Sequence, residues 1–449
     1  MNAVRPAAVA GLFYPGDAAA LAAEVDELLG GVPHLAPRLG FPKALVVPHA
    51  GYIYSGPVAA HAYDELAAAR GIVRRVVLLG PVHRVPVRGL AAPAADWFAT
   101  PLGRVRIDRA ALDALRDLPQ VVVSDRPHAL EHSLEVQLPF LQKQLGDFAL
   151  VPFAVGDAAV EEVAAVIERL WGGPETLIVI STDLSHYHAY EAARALDGAT
   201  LARIAARATD LGHEEACGAT PLNGFLAVAA RRGIEVRLLA ACNSGDTAGG
   251  KGKVVGYSAF AAHEAGGPAP EQAGDTLLAI ARGAIENKLL DRDAPRFDFP
   301  WLAQAGASFV TLTSAGRLRG CIGSLAAARA LGADVAENAL GAAFRDPRFA
   351  PLEAAEWAGC RVEVSLLSTP KPLRFADEDD LLAQLEPGED GLILEHAGRR
   401  GTFLPQVWEG MPDKKVFLRE LAKKAGLPAD TRLARCKISR YRVAKFHER

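Results

Sequence analysis

An excess of charge of one sign is missing from this chain of 449 residues: 53 acidic and 49 basic side chains leave a net charge of -4. A near-neutral chain carries no electrostatic footprint for nucleic acid or an anionic membrane, so neither is expected as a partner. Long apolar runs are also missing. Hydrophobic residues make up 50% of the chain, yet no run approaches the roughly 18 apolar residues that a spanning helix needs. The opening stretch, Met1 to Pro6 and on to Gly11-Leu12-Phe13-Tyr14-Pro15, contains no continuous apolar segment, so no secretory signal is expected. Cysteines are few: Cys217, Cys242, Cys321, Cys360 and Cys436 form no CxxC pair and no disulfide framework. That usage fits a reducing cytoplasm, with each thiol free, buried or a ligand. Aromatics are only 7%, so the cores must be mostly Ala, Val and Leu. The apolar half of the composition excludes a disordered chain.

The length is too great for one ordinary domain. The sharpest composition break is His263-Glu264-Ala265-Gly266-Gly267-Pro268-Ala269-Pro270-Glu271, read as a linker. It divides the chain into residues 1–262 and 272–449, with 263–271 between them and no internal repeat relating the two parts. The first part alternates strands and helices. Strands are expected at Ala44–Pro48, Arg75–Gly80, Phe148–Val155, Thr176–Thr182, Val236–Ala241 and Lys253–Phe260. Helices are expected at Ala18–Leu29, Ala110–Leu115, Ser133–Gln144, Ala159–Trp171, Ala189–Ala206 and Pro221–Arg232. Continuously apolar strands between helices predict an α/β fold with a largely parallel central sheet. The second part opens with a helix over Gln272–Leu289. A hairpin follows, Ser308–Thr313 and Arg317–Leu325 around Ser314-Ala315-Gly316, then elements in mixed order, so it reads as α+β.

Open α/β sheets place their sites at the carboxyl ends of strands. His49 follows the first of these strands, His83 the second, Asp183 and His186 the Thr176 strand, and Cys242 the Val236 strand. One histidine after a strand is ordinarily a turn residue, and one cysteine ordinarily a small core residue. Four strand ends agreeing point to a shared site instead. Imidazole and thiolate suit transition metals such as iron, copper and zinc. A second cluster, His128 to Gln137, holds His128, Glu131, His132 and Glu135. It lacks the HExxH order, so a zinc-protease reading fails. Its members either cap a helix or stand behind the site, supporting ligands or substrate. In the second part, Arg317-Leu318-Arg319-Gly320-Cys321-Ile322-Gly323 sets Cys321 between glycines. Strand alternation would put Arg317, Arg319 and Cys321 on one face, a nucleophile or anion site, unless a bulge intervenes. The alternative is a tightly packed hairpin with an inert thiol.

The segments Arg5–Pro15, Pro48–Gly56, Glu131–Glu135, Ser181–His186 and Cys242–Asp246 together resemble the Memo family, over about residues 4 to 262. That family is similar in fold to class III extradiol dioxygenases of the LigB type, non-haem iron enzymes. The resemblance implies that His49 and His83 are metal ligands, that Cys242 stands where those enzymes have a carboxylate ligand, and that His186 is the acid–base residue with Asp183 beside it. Glu131, His132, Glu135 and Tyr54 are expected as supporting or substrate residues. A thiolate in place of a carboxylate is softer and itself oxidisable. The implied cofactor is iron or copper, with zinc a further option, and the substrate is an unknown small molecule.

The Arg317–Leu325 string, Ala343–Phe349, Gly391–Leu394 and Gly401–Val407 resemble the AMMECR family over about residues 272 to 446. The two resemblances together imply a fusion of two components of the AmmeMemoRadiSam system, whose third component, a radical-SAM protein, is the expected partner. The chain lacks a CxxxCxxC cluster motif, so it is not that radical enzyme. Two functions follow as expectations: a cytoplasmic metal-dependent redox enzyme of dioxygenase-like type, or a non-catalytic binding protein for a peptide or for the radical-SAM partner.

Overall fold

The computed structural model describes residues 3–33, 40–264, 270–428 and 431–448. Residues 265–269 of the expected linker lie outside the described residues; a strand reaches His263 on one side and a helix begins at Pro270 on the other. The chain separates into two compact units. The first contains the described residues up to Val32 and from Phe41 to Glu264; the second contains Pro33, Gly40 and those from Pro270 onward. Among the described residues no helix is long and apolar enough to cross a membrane.

The first unit is α/β around a largely parallel sheet. Four strands form its centre in the order Ala149–Val155, Arg75–Pro81, Thr176–Ser181, Ala44–Val47, every pair parallel. Every residue of Ala44–Val47, Ala149–Val155 and Thr176–Ser181 is buried, as continuous Val, Leu and Ile runs require when both faces are covered. Val254–His263 adds antiparallel to Ala44–Val47, and Glu235–Asn243 adds antiparallel to Val254–His263. Two reversals restore the direction. The carboxyl ends after Val47, Pro81, Ser181 and Asn243 therefore share one edge, where ligands bind in such sheets.

Two local features depart from the sequence pattern. The helix expected from Ser133 forms only from Leu138, after a single 3-10 turn at Glu135–Gln137. Residues before it are held by side chains instead: the Arg5 guanidinium donates to His128 O (2.7 Å), Glu131 O (2.6 Å) and the Glu135 carboxylate (2.5 Å). A helix at Tyr52–Asp64, immediately after His49, had no sequence signal, because Gly56 and Pro57 read as breakers. The helix tolerates Gly56 because Leu28 presses against it: a Cβ there would meet Leu28 Cδ1 at 2.8 Å.

The second unit is α+β. Its antiparallel sheet runs Arg317–Gly323, Ser308–Ser314, Cys360–Leu367, Val443–His447. The hairpin turn places Ala315 (φ 49°) and Gly316 (φ 76°) in the left-handed region, the geometry a tight two-residue hairpin demands. Val310, Leu312, Val362 and Val364 from one face of this sheet join the helices Pro270–Leu290 and Leu331–Phe344 in a core. A second antiparallel sheet pairs Gly391–His396 with Arg399–Phe403 and Lys437–Tyr441.

Candidate metal centre

Three imidazoles meet at the carboxyl edge of the first unit. His49, His83 and His132 each offer a ligand atom, all within 4.8 Å of one another. Ring centroids are 5.1 Å apart for His49 and His83, 5.4 Å for His49 and His132, and 4.7 Å for His83 and His132. His49 is buried, His132 half-buried and His83 open to solvent, so the group has a closed side and an open one.

The ring protons can be assigned from partners. Ser181 Oγ donates to Ser133 O at 2.7 Å, which uses its only hydrogen. It must therefore accept from Gln137 Nε2 (3.0 Å) and from His49 Nδ1 (2.8 Å). Gln137 is oriented independently, because its Nε2 donates to Pro48 O while its Oε1 accepts from Tyr63. Burial, followed by the neighbouring imidazoles, pushes His49 well below the ordinary histidine range. The ring is thus neutral and protonated on Nδ1, so Nε2 carries its lone pair. Glu131 stands behind the other two rings. Its Oε1 lies 2.9 Å from His83 Nδ1 and 3.3 Å from His132 Nδ1. It also takes the backbone N–H groups of His83, His132 and Ser133. Burial opposes its ionisation, but the His83 contact and these donors hold its carboxyl at about 2. Burial lowers His132 to about 4. Three converging imidazoles are a donor set that zinc, copper or iron take, with hydroxyl, carboxylate and backbone supports behind them.

Other residues follow. Asp183 is buried; its Oδ1 accepts the His49 N–H at 2.7 Å and its Oδ2 lies 3.9 Å from His49 Nε2. Burial raises its carboxyl to about 7 even though backbone donors pull it down. His186 lies at the start of the His186–His188 strand, half-buried, and burial chiefly lowers its pKa. Glu135 does not reach the rings. It binds Arg5, Tyr14 Oη (2.6 Å) and the N–H groups of Ala8 and Val9, tying the N-terminal segment to the residues before the Gln137 turn. Tyr54 is exposed at the start of the Tyr52–Asp64 helix. His128 is structural, with its Nε2 2.9 Å from Ala91 O.

Cys242, the expected third ligand, is not part of this group among the described residues; His132 is. Cys242 pairs with Tyr257, on a strand that stands between Glu235–Asn243 and Ala44–Val47. Two inter-strand spacings, about 10 Å, separate the backbones of the outer strands. Burial, then Asp246, raises the Cys242 thiol to about 11. A different cysteine, Cys217, reaches the centre: its Sγ lies 3.3 Å from His49 Nε2. It sits between elements, just before the Ala219–Arg231 helix, so inspection of strand ends could not find it.

In the second unit the expected Arg317, Arg319 and Cys321 alternation fails. Leu312 pairs with Gly320 and Thr313 with Leu318, leaving Arg319 bulged. Arg319 turns to Glu356 (2.9 Å), and Arg317 is exposed. Cys321 instead has Thr311 Oγ1 at 3.4 Å, Asp346 accepting its N–H at 2.8 Å, and Arg348 donating to its carbonyl at 3.2 Å.

Comparison with known proteins agrees with this division. Residues 5–261 match the family model for Memo-like proteins and residues 278–446 that for AMMECR1, so one chain joins the two. Over 281 residues the chain is 37% identical to a MEMO1 family protein of Ignicoccus hospitalis, covering 57% of this chain and 97% of that one. A MEMO1 family protein of Aquifex aeolicus is 37% identical over 271 residues, 57% of this chain and 97% of its own. Among solved structures, an uncharacterized protein from Pyrococcus horikoshii is 32% identical, with a TM-score of 0.37, covering 40% of this chain and 92% of that one.

Proposed function

The chain belongs to the Memo-like protein family, and from that premise we propose that its first unit is a metal-dependent redox protein of dioxygenase-like type acting on a small substrate. The observation that carries the reading is the set of three imidazoles, His49, His83 and His132, whose ligand atoms all lie within 4.8 Å of one another, with Nδ1 of His49 on Ser181 and Nδ1 of His83 on Glu131. Iron or copper, when bound, would supply one-electron and dioxygen chemistry that no side chain here possesses. The chain's own residues prepare the rest. His83 faces solvent, so substrate enters on that side. Asp183, at about 7, exchanges a proton near neutrality beside His49. His186 is kept mainly neutral by burial and can accept a proton from a substrate in the same pocket.

Metal analysis of the purified chain tests this. One equivalent of iron or copper, lost in His49→Ala and in His132→Ala, is the expected result. Protein that binds no transition metal while remaining folded would overturn it.

A second reading has its own observation. Leu12, Ile53, Tyr54, Leu130 and Tyr187 are exposed large apolar residues, and each lies within a few positions of Phe13, His49, Glu131 or His186. Such a rim suits a docking partner, and the radical-SAM protein of the AmmeMemoRadiSam system is the partner this reading assigns. Co-purification with that protein that is lost in an Ile53→Asp, Leu130→Asp variant supports it; unchanged association removes it.

A further inference from the structure

We propose that the thiol of Cys217 caps the metal-binding lone pair of His49 and so gates metal loading. The inference rests on the three-histidine reading above for its metal half, and on hydrogen positions alone for the cap.

The thiol has one hydrogen and a choice of acceptors. Thr182 Oγ1 is 3.9 Å away, Asp183 O is 3.8 Å away and His49 Nε2 is 3.3 Å away. Thr182 Oγ1 donates to Asp183 O and accepts the Gly218 N–H, so its bonding is already committed. His49 Nε2 is the nearest acceptor and the most basic of the three. It is the acceptor, because Ser181 Oγ has given its only hydrogen to Ser133 O and must take the ring's N–H from Nδ1. The sulfur in turn accepts the Asp183 N–H at 3.3 Å. An ordinary thiol carries its hydrogen at neutral pH, so the hydrogen needed for the S–H···N bond is present. The bond is therefore fixed in direction: Cys217 gives and His49 receives.

A lone pair cannot serve a thiol and an ion together. Cys217 lies outside the three-nitrogen group, so an ion taken by His49, His83 and His132 must displace the S–H from Nε2. No atom or electron leaves the protein in this exchange. One hydrogen bond breaks, one coordinate bond forms, and the thiol turns to the carbonyl of Asp183. Removing the thiol removes the competitor, whereas a hydroxyl at the same place keeps a donor.

Zinc and cobalt(II) are the probes, titrated into the metal-free full chain against a chromophoric chelator. Cys217→Ala should bind each ion about threefold to tenfold more tightly than the parent, the worth of one net hydrogen bond, and Cys217→Ser should stay at or below the parent. Unchanged binding in Cys217→Ala overturns the gate. Weaker binding, with loss of a sulfur-to-cobalt charge-transfer band, also overturns it and makes Cys217 a ligand. The second measurement needs no metal: nitrogen-15 spectra of the apo imidazoles. The His49 Nε2 resonance should shift in Cys217→Ala while Nδ1 keeps its proton. If Nε2 does not move, there is no cap. If it moves but neither protein binds an ion, the cap stands and the three-histidine reading is what fails.

Discussion

The carboxylate of Glu131 and His83 meet twice: Oε1 lies 2.9 Å from the ring Nδ1, and Oε2 takes the backbone N–H at 2.7 Å. The same Oε1 reaches His132 Nδ1 at 3.3 Å. One buried anion thus holds the His83 ring by Nδ1, stands beside the His132 ring, and fixes the position of the loop that bears one of them. Glu131→Gln keeps the size but leaves an amide where an anion stood. Metal affinity should fall about 10-fold to 100-fold, the usual cost of losing such a support. Chelator competition measures it; affinity within twofold of the parent would show that Glu131 serves the loop and not the rings.

The N-terminal segment is part of the same device. Arg5 and Glu135 form an ion pair at 2.5 Å with both side chains buried, and Arg5 also carries the carbonyls of His128 and Glu131. Breaking one side of a buried pair leaves the other charged and unpaired, at about 3–5 kcal/mol. Glu135→Gln should lower stability by that order in denaturant unfolding, and should weaken metal binding as well, because His132 rides on the segment that Arg5 holds. A loss near 1 kcal/mol, typical of a surface pair, would refute the clasp.

Histidine burial makes the apo protein acid-sensitive. His128 is held at about 4, chiefly by burial, against an ordinary 6.5. Its folded value is depressed, so the unfolded chain binds the extra proton: the neutral ring costs nothing above pH 6.5, and stability is lost as pH falls from there toward 4. At pH 5 the loss from this ring alone is about 2 kcal/mol. His128→Gln, which can still donate to Ala91 O, should flatten the fall between pH 7 and 5. Asp183, raised to about 7, acts in the opposite sense: its stabilisation is complete below its unfolded value and is lost as pH rises through 4 to 7. In Asp183→Asn the acid loss should therefore look steeper than in the parent.

Much of this was legible in the sequence, for a physical reason. Runs such as Ala44–Val47 and Thr176–Ser181 are apolar on both faces and can only be buried strands, so the sheet and its ligand-bearing edge followed from them. His49 and His83 were visible because they end such strands. What the sequence hid depends on lateral order. Nothing local says that Val254–His263 inserts between the strands of Cys242 and His49. His132 was in view, but only as a supporting residue, because its closeness to His83 depends on Glu131 and Arg5 drawing a non-helical loop inward. Gly80 takes part in that approach: a Cβ there would lie 2.8 Å from Ser133 Oγ. Cys217 carries no strand-end signal at all. In the second unit the bulge at Arg319 was foreseeable from the flanking glycine, but its place was not.

Cys321 offers the remaining test, and it concerns the AMMECR1 unit. The five cysteines are all free, but their surroundings differ. Cys360 and Cys436 are buried, 3% and 8% exposed, and burial raises both thiols. Burial raises Cys242 to about 11 and Cys217 to about 12. Cys321 is half-buried on the sheet face opposite the helices, beside Thr311. Its strand is pinned by Asp346, whose carboxylate takes the Cys321 N–H and binds Arg348 at 2.7 Å, so the site is rigid without being closed. Access to the sulfur limits the rate of alkylation in the folded protein. Iodoacetamide at near-neutral pH should therefore modify Cys321 first, read site by site by peptide mass spectrometry, with Cys360 and Cys436 reacting only on unfolding. Asp346→Asn, which loosens the strand, should raise labelling at Cys360 before global unfolding, because Cys360 lies in the core beneath the same sheet. Labelling of Cys321 only after denaturation would make it a packing residue, and the chemistry of this unit would then have to lie elsewhere.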